Sequence, residues 1–356
     1  MISLISAFFI LFSLAPILQA GPSAGPEALR SQAGAGNPSS QFELGNAYET
    51  GTGVQQNDEL AVKWYRAAAE QDFPPAENRL GVMYSRGTGV NRDKVEALRW
   101  YKKAAKHRLP EACFNVAISY YNGDGVSEDP ELAYAWMLIA KDAGDTEAED
   151  ALNRMADELH GLVYLSEYKL AALYERGDEI PQDLSRAANL YLEIANKDIP
   201  ENITAGDAQY KMCQLYATGK GVPLDYVQAR SWCKKATKHG IGFAYVVLGR
   251  MAERGLGEEK NLKEAADWYE DAALVQMPDG FLASGKLRQQ SPSHDDQKKA
   301  YFWFYLAEHY KVKEADSLIQ QVSRNLTEKE IAEEQKLAMQ WVRMPLPEKV
   351  RQLKMH

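Results

Sequence analysis

Histidine, serine and acidic residues are where catalytic or metal chemistry would first show in this chain. None of the six histidines has a second His or Cys at the spacing that puts two metal ligands on one helix face. They are His107, His160, His239, His294, His309 and His356. No Ser, His and Asp form a recognisable nucleophile motif, such as a serine held between glycines at a sharp turn. The sequence therefore predicts no catalytic residue, no metal site and no cofactor.

Glycine-rich turns and a row of tryptophans are the next candidates. The turns at Gly51–Gly53 and Gly87–Gly89 have the glycines of a phosphate cradle, but they follow helical segments and lack the Gly-Lys-Ser/Thr that completes one. We interpret them as structural turns. The tryptophans recur at a fixed phase beside small residues, which favours a core position over a ligand platform. They are Trp64, Trp100, Trp136, Trp232, Trp268 and Trp303.

A sequence repeat of 36 residues positions all of these side chains. It is clearest at residues 80–112, where Leu80-Gly81, Gly87, Gly89 and Trp100-Tyr101 mark the unit. Matching residues lie one period upstream, at Leu44-Gly45, Gly51, Gly53 and Trp64-Tyr65, and one period downstream, at Val116-Ala117, Gly123, Gly125 and Trp136. A fixed period of this length indicates a stacked array of similar units.

Each unit has the features of an antiparallel helix hairpin. Leu80, Gly81 and Tyr84 share one face of a first helix, and Gly87 directly after it suits a left-handed helix end. A second helix starts at an N-cap, Asp93, with Glu96 at capping-box spacing. The same N-cap position is occupied by Asn57, Asp129, Asp183, Asp225 and Asn261. One such hairpin exposes an apolar face that only a neighbouring hairpin buries.

This set of recurring positions resembles the Sel-one-like repeat (SLR) family, which is related to the tetratricopeptide repeats. The resemblance covers roughly residues 36–318. It implies an all-α, right-handed α-solenoid of antiparallel helix hairpins, with about seven repeats in two blocks. It also implies a scaffold that holds partners together and performs no chemistry of its own.

The resemblance gives two of the three cysteines a structural meaning. In the related tetratricopeptide hairpin, a small residue of the first helix receives an aromatic residue of the second. Cys213 takes the place of Gly45 and Gly81, and Cys233 takes the place of Tyr65 and Tyr101. The substitution of both partners suggests a disulfide, and two buried thiols are the alternative. Cys113 has no counterpart and is interpreted as a buried thiol.

Charge and the first residues indicate where the protein works. The net charge of −9 and the absence of a Lys/Arg cluster argue against nucleic-acid binding. Residues 2–18 are apolar and precede Gln19-Ala20, which is typical of a secretory signal peptide cleaved after Ala20. No Lys or Arg precedes the apolar stretch, and an uncleaved membrane anchor is the alternative. We expect export to a periplasm or the extracellular space, with the lumen of the eukaryotic secretory pathway as the second setting.

The repeat phase divides the chain. A slip of 18 residues separates the third repeat from the fourth, about the length of one extra helix. The predicted organisation is a signal peptide at 1–20, a linker and capping segment at 21–35, repeats one to three at 36–148, an extra helix at 149–165, repeats four to seven at 166–318, and a capping helix and tail at 319–356.

The predicted function is that of an exported scaffold or adaptor that binds a partner on the concave face lined by the first helices. A protein partner is favoured, and a polysaccharide or peptidoglycan is the second choice. The alternatives are a cell-wall enzyme and an adaptor that presents clients in the secretory pathway. The residues predicted to contact the partner are Arg86, Tyr121, Asn122, Arg176, Tyr210 and Arg250.

Overall fold

The computed structural model describes residues 26–159, 162–197 and 203–355, and within these ranges the regular structure is helical throughout. The predicted signal peptide, His160 and His356 lie outside the described residues. The helices up to the end of the third repeat are α1 (Pro26–Gly34), α2 (Pro38–Thr50), α3 (Asp58–Ala69), α4 (Pro74–Arg86), α5 (Lys94–Ala105), α6 (Pro110–Asn122) and α7 (Pro130–Ala143). The next are α8 (Ala148–Leu159), α9 (Val163–Arg176), α10 (Leu184–Ala195), α11 (Ile203–Thr218), α12 (Tyr226–Lys238), α13 (Gly242–Arg254) and α14 (Leu262–Leu274). The last are α15 (Pro278–Gln289), α16 (His294–His309), α17 (Ala315–Ser323), α18 (Glu328–Arg343) and α19 (Leu346–Met355).

The described residues form two compact units. One contains the residues up to Glu128 together with Ala143–Asp145, and the other contains Asp129–Asp142 and the residues from Thr146 onwards. The extra helix predicted at 149–165 corresponds to α8, which spans Ala148–Leu159. The domain bounds stay predictions.

Within each unit the helices pack as the hairpins that the repeat predicts. The paired first and second helices are α2 with α3, α4 with α5, α9 with α10, α11 with α12, α13 with α14, and α15 with α16. Second helices also pack against the first helix of the following repeat, as α3 does on α4 and α12 does on α13. Helices such as α4 and α12 are therefore buried on two sides by their neighbours along the chain.

The predicted helix ends are confirmed. All six N-cap side chains accept a hydrogen bond from a backbone N–H of the first helical turn, including Asp129 from the N–H of Leu132 at 2.9 Å. First helices end at a left-handed glycine, such as Gly87 with φ of 76°. Thr327 forms a capping box with Glu330 at the start of α18. The helix α18 ends at Arg343, before Pro345, and the short helix α19 follows as a separate element.

The second glycine of each turn brings neighbouring repeats close together. Gly257 has φ of 82°, and a Cβ atom there would lie 2.7 Å from the carbonyl oxygen of Tyr226 in the preceding repeat. Gly89, Gly125 and Gly221 face the backbone of Asp58, Lys94 and Leu184 in the same way. A side chain at these positions would push adjacent hairpins apart, which explains the recurrence of glycine.

The tryptophan row is mainly core, as predicted. Trp100, Trp136, Trp232 and Trp303 are buried, whereas Trp64 and Trp268 are half-buried. The nearly apolar helix α7 buries six of its side chains, including Trp136 and Met137. Cys113 is a buried free thiol, and burial raises its pKa to about 12, so it stays protonated at neutral pH.

Candidate partner-binding face of the first helices

A glycine–tyrosine contact holds the first helix of a repeat against the second. A Cβ at Gly45 would lie 2.7 Å from the Tyr65 ring, and a Cβ at Gly81 would lie 2.6 Å from the Tyr101 ring. Gly249 receives Tyr269 in the same manner. The ring fills the space that a larger residue would need, so the spacing of the two helices depends on this pair.

In the fifth repeat a disulfide replaces that contact. The structure joins Cys213 of α11 to Cys233 of α12, with their Cα atoms 5.2 Å apart and both side chains inaccessible to solvent. This separation lies within the range of protein disulfides. The bond therefore occupies the position that the resemblance assigned to it.

The tyrosine hydroxyls donate hydrogen bonds to half-buried glutamates on the first helices. Tyr191 donates to the Glu175 carboxylate at 2.8 Å, Tyr269 donates to Glu253 at 2.8 Å, and Tyr65 donates to Glu49. Burial raises the pKa of each of these tyrosines, and the nearby carboxylate adds to the effect. Glu175 also accepts from Lys211, at 2.9 Å, one repeat further on. These glutamates hold the hairpins together and so are less available to an outside partner than their place on the first helices indicated.

The residue that directly follows the position of these glutamates is exposed on the first helix of every repeat from one to six. This exposed row, five residues after the Gly phase, is Thr50, Arg86, Asn122, Arg176, Thr218 and Arg254. Three of its members are arginines, on a protein with net charge −9. The row therefore faces solvent in both units, with one arginine in the first unit and two in the second.

In the first unit, the predicted contact residues lie on α4 and α6. Arg86 and Asn122 are exposed and Tyr121 is half-buried. Val82, which shares the face with Arg86, is buried, so it is part of the core and not of the surface. Phe42 also packs inside its own unit. The centroid of its ring lies 5.7 Å from that of Tyr65 and 5.6 Å from that of Phe73.

In the second unit, Arg176 and Arg250 are exposed and Tyr210 is half-buried. Arg176 has its Nε 3.4 Å from the Asp178 carboxylate. Arg250 lies within electrostatic reach of Tyr210, because its charge lowers the tyrosine pKa against the larger effect of burial, which raises it. Tyr210 and Arg250 are thus brought near each other, on the adjacent first helices α11 and α13.

Two surface residues beside Tyr210 and Arg250 were missed by the sequence reasoning. Phe243 is 52% exposed and stacks on Tyr210, with ring centroids 6.1 Å apart and an angle of 21° between the rings. Arg254 lies one turn beyond Arg250 on α13. The sequence did hold a signal for Phe243. It lies at a register position where the repeats one period before and after have Asp207 and Asp279, so an aromatic residue stands where its neighbours are acidic.

Neither metal-site nor membrane-span geometry is seen in the described part of the chain. Among residues 26–159, 162–197 and 203–355, no three His, Cys, Asp or Glu side chains group as a metal site would require. In the same ranges, no helix has both the length and the apolar character needed to cross a bilayer.

Comparison with curated proteins finds regulators. The chain is 32% identical over 129 residues to a chitin synthase regulator of Saccharomyces cerevisiae, a match covering 32% of this chain and 17% of the relative. It is 29% identical over 85 residues to an exopolysaccharide production negative regulator of Rhizobium meliloti, covering 23% of this chain and 30% of the relative. The chain thus spans less than a third of the length of these relatives.

Comparison with solved structures finds proteins of the same repeat. A protective antigen of uropathogenic Escherichia coli strains displaying an SLR fold is 25% identical, with a TM-score of 0.41, over 89% of this chain and 71% of the other. A Sel1 repeat protein from Oxalobacter formigenes is 30% identical, with a TM-score of 0.31, over 69% and 87% of the two chains.

The family model for the Sel1 repeat matches the chain seven times, over most of its length. The matched residues are 38–73, 74–108, 110–145, 165–198, 206–241, 242–274 and 288–308. The interval between the third and fourth matches contains α8, and the disulfide lies in the fifth match. With its hairpins, caps and glycine–tyrosine contacts in the same register, this chain belongs to the Sel1 repeat family.

Proposed function

We propose that this protein is an exported, non-catalytic scaffold that binds a protein partner on the face of its first helices. Sel1 repeats generally mediate protein interactions, and the two curated relatives named above are regulators by name. The observation that carries the proposal is that the first helices of repeats one to six each have an exposed residue at the same register position. A protein that works in this way recognises its partner by shape and charge and needs no cofactor.

The proposed contact residues are the six predicted ones, in two groups. Arg86, Tyr121 and Asn122 belong to one unit, and Arg176, Tyr210 and Arg250 belong to the other. Arginine and tyrosine are enriched among the residues that dominate binding energies. Four of the six side chains are exposed, namely Arg86, Asn122, Arg176 and Arg250. Exposed side chains contribute little to folding, so binding and stability are separable at these four positions.

Export is the second part of the proposal. The apolar residues 2–18 followed by Ala20 support a cleaved signal peptide. Intact-mass measurement of protein recovered from the exported fraction should give a chain that begins near Gly21. A retained Met1 would refute cleavage and favour the membrane anchor.

Site-specific photo-crosslinking tests the binding face. A photoreactive phenylalanine analogue in place of Asn122 or Thr218, both exposed members of the outward row, should capture a protein identified by mass spectrometry. The matched control places the same analogue at Lys63, exposed on the second helix α3. Capture from the control position and none from the first helices would place the interface elsewhere.

The interface has a second test in a double variant. Tyr121→Ala with Arg176→Ala should weaken binding to the captured partner and leave the thermal midpoint nearly unchanged. Unaltered binding would exclude these two side chains from the interface.

A polymer partner is the second candidate function. The names of both relatives concern polysaccharide production, in chitin synthesis and in exopolysaccharide production. Incubation with peptidoglycan fragments distinguishes an enzyme from a scaffold. Turnover of the fragments would support a cell-wall enzyme and refute the scaffold hypothesis. Co-sedimentation without turnover would favour a polymer-binding scaffold.

A further inference from the structure

The helix α13 presents an exposed stripe that the other first helices lack. Phe243, Arg250 and Arg254 are seven and eleven residues apart, so they share one face of the helix, and all three are exposed. At the same three register positions α11 has Asp207, Gln214 and Thr218, whereas α15 has Asp279 and Lys286 and is followed directly by Gln290. Among the first helices of the described repeats, α13 alone combines an exposed aromatic residue with two arginines in this register.

The two ends of the stripe differ in chemistry. At one end, Phe243 stacks on Tyr210 and offers an open apolar surface. At the other end, Arg250 and Arg254 form no ion pair with any residue that the structure describes. Asp207 and Asp279 lie on the neighbouring helices at the register of Phe243, so the aromatic end disfavours an anion while the arginine end attracts one.

We propose that the stripe formed by Tyr210, Phe243, Arg250 and Arg254 binds an extended peptide segment that carries an apolar side chain and acidic residues on its C-terminal or N-terminal side. The proposal rests on the proposed function and names the chemistry of the partner at this part of the face. The apolar side chain contacts the Tyr210–Phe243 pair, and the carboxylates pair with the two guanidinium groups.

Helix geometry sets the spacing that such a segment needs. A helix rises about 1.5 Å per residue, so Arg250 lies about 10 Å and Arg254 about 16 Å along the axis from Phe243. An extended chain advances about 3.3 Å per residue. Alternate side chains of an extended chain face the same way, so the acidic residues that can reach the two arginines lie about four and six positions from the apolar one. Guanidinium–carboxylate pairing adds directionality, because each arginine can donate two parallel hydrogen bonds to one carboxylate.

The test uses a synthetic peptide as the probe. It is labelled with fluorescein, amidated at its C-terminus, and has one phenylalanine followed by glutamates about four and six residues later in a Gly/Ser background. A second peptide has the reversed order, a third has lysines in place of the glutamates, and a fourth has serine in place of the phenylalanine. Fluorescence anisotropy is measured against the full-length exported protein at low and high salt.

We expect saturable binding of one of the two acidic peptides, at least tenfold tighter than binding of the lysine and serine peptides, and weaker in high salt because the charges are exposed. Phe243→Ala and the double variant Arg250→Ala with Arg254→Ala should each weaken binding about tenfold or more. Lys63→Ala and Val227→Ala are matched controls that should bind normally, since Lys63 is an exposed cation on the second helix α3 and Val227 is exposed on the second helix α12.

Three outcomes would overturn the proposal. They are the absence of saturation up to about 1 mM of either acidic peptide, equal affinity for the lysine peptide, and normal binding by the Phe243→Ala variant. Displacement of the probe by N-acetylglucosamine oligomers, with dependence on Phe243 but not on the arginines, would also overturn it and assign the stripe to a sugar. If photo-crosslinking from Asn122 or Thr218 still captures a protein, the scaffold function stands and only this inference fails.

Discussion

Removal of the Cys213–Cys233 disulfide should loosen one hairpin and leave the other repeats unchanged. The bond links α11 to α12 across a sequence separation of 20 residues, and both cysteines are inaccessible to solvent. In the loop-entropy model a closed loop of that size contributes about 3 kcal/mol. Repeat arrays respond locally, because each repeat contacts only its neighbours.

Native-state hydrogen exchange read by mass spectrometry measures this effect. A loss of about 3 kcal/mol corresponds to roughly 150-fold faster exchange through local opening, since 1.4 kcal/mol is tenfold. The Cys213→Ala, Cys233→Ala variant should show this acceleration in α11 and α12. The hairpin of α2 and α3, in the other unit, serves as the internal control and should exchange as before.

A restoring variant makes the prediction sharper. Cys213→Gly with Cys233→Tyr re-creates the pair seen at Gly45–Tyr65 and Gly249–Tyr269. The new hydroxyl needs an acceptor four residues after the glycine phase, where Ala217 stands, so Ala217→Glu completes the set. Burial of the ring should recover about 1–2 kcal/mol relative to the alanine variant, or roughly tenfold in exchange.

The single change Cys233→Tyr provides the opposite control. Its ring meets the Cys213 side chain where other repeats have a glycine, and overpacking of this kind costs about 1–3 kcal/mol. Exchange in α11 and α12 that is unaffected in the alanine variant would refute the reasoning. So would reaction of more than one thiol in the denatured wild-type protein, since Cys113 is the one cysteine left unpaired.

Three further predictions concern caps, turns and buried tyrosine. Gly257→Ala should cost about 1–3 kcal/mol more than Gly240→Ala in urea unfolding, because both have positive φ but only a Cβ at Gly257 meets the preceding repeat; equal losses would exclude the close approach as the cause. Burial raises the Tyr101 pKa to about 12 from 10.0, so its contribution to stability is complete below pH 10 and is lost as the pH rises through 12. Tyr101→Phe should therefore flatten the fall in stability between pH 10 and 12, and an unchanged slope would contradict the assignment. Thr327→Ala removes the capping box of α18 and should lower stability by about 1 kcal/mol, whereas Thr327→Ser should restore it; loss in both variants would argue against the cap.

Local features of the fold could be predicted from sequence because they repeat. The N-caps at Asp93 and Asp225 and the left-handed glycine at Gly87 follow from residue type and position within one hairpin. Each appears several times in register, so every repeat supports the others.

The contacts between helices were harder to predict. Glu49, Glu175 and Glu253 lie on outward-looking positions of their helices, yet each is bound by the tyrosine 16 residues later. Their role depends on how two helices align, which residue type does not reveal. The constant separation of 16 residues was nevertheless present in the sequence and would have identified the pairs.

Two helices near the C-terminal end could not be predicted from the sequence for a different reason. α17 and α19 are nine and ten residues long, which is short for a helix that must be stable alone. They form against α16 and α14, and Lys349 of α19 is buried with its ammonium 4.3 Å from the Trp341 ring centroid. Such helices depend on tertiary packing, and neither belongs to the repeat pattern that guided the prediction.

The close approach of each second turn glycine has a consequence for how such a chain changes over evolution. Gly89, Gly125, Gly221 and Gly257 meet the backbone of the preceding hairpin, and every residue offers that backbone. The contact between two hairpins at this glycine therefore requires no particular side chain on the preceding hairpin. A hairpin can be duplicated, deleted or exchanged with its glycines in place and still fit the next one, while its outward residues vary freely to suit new partners.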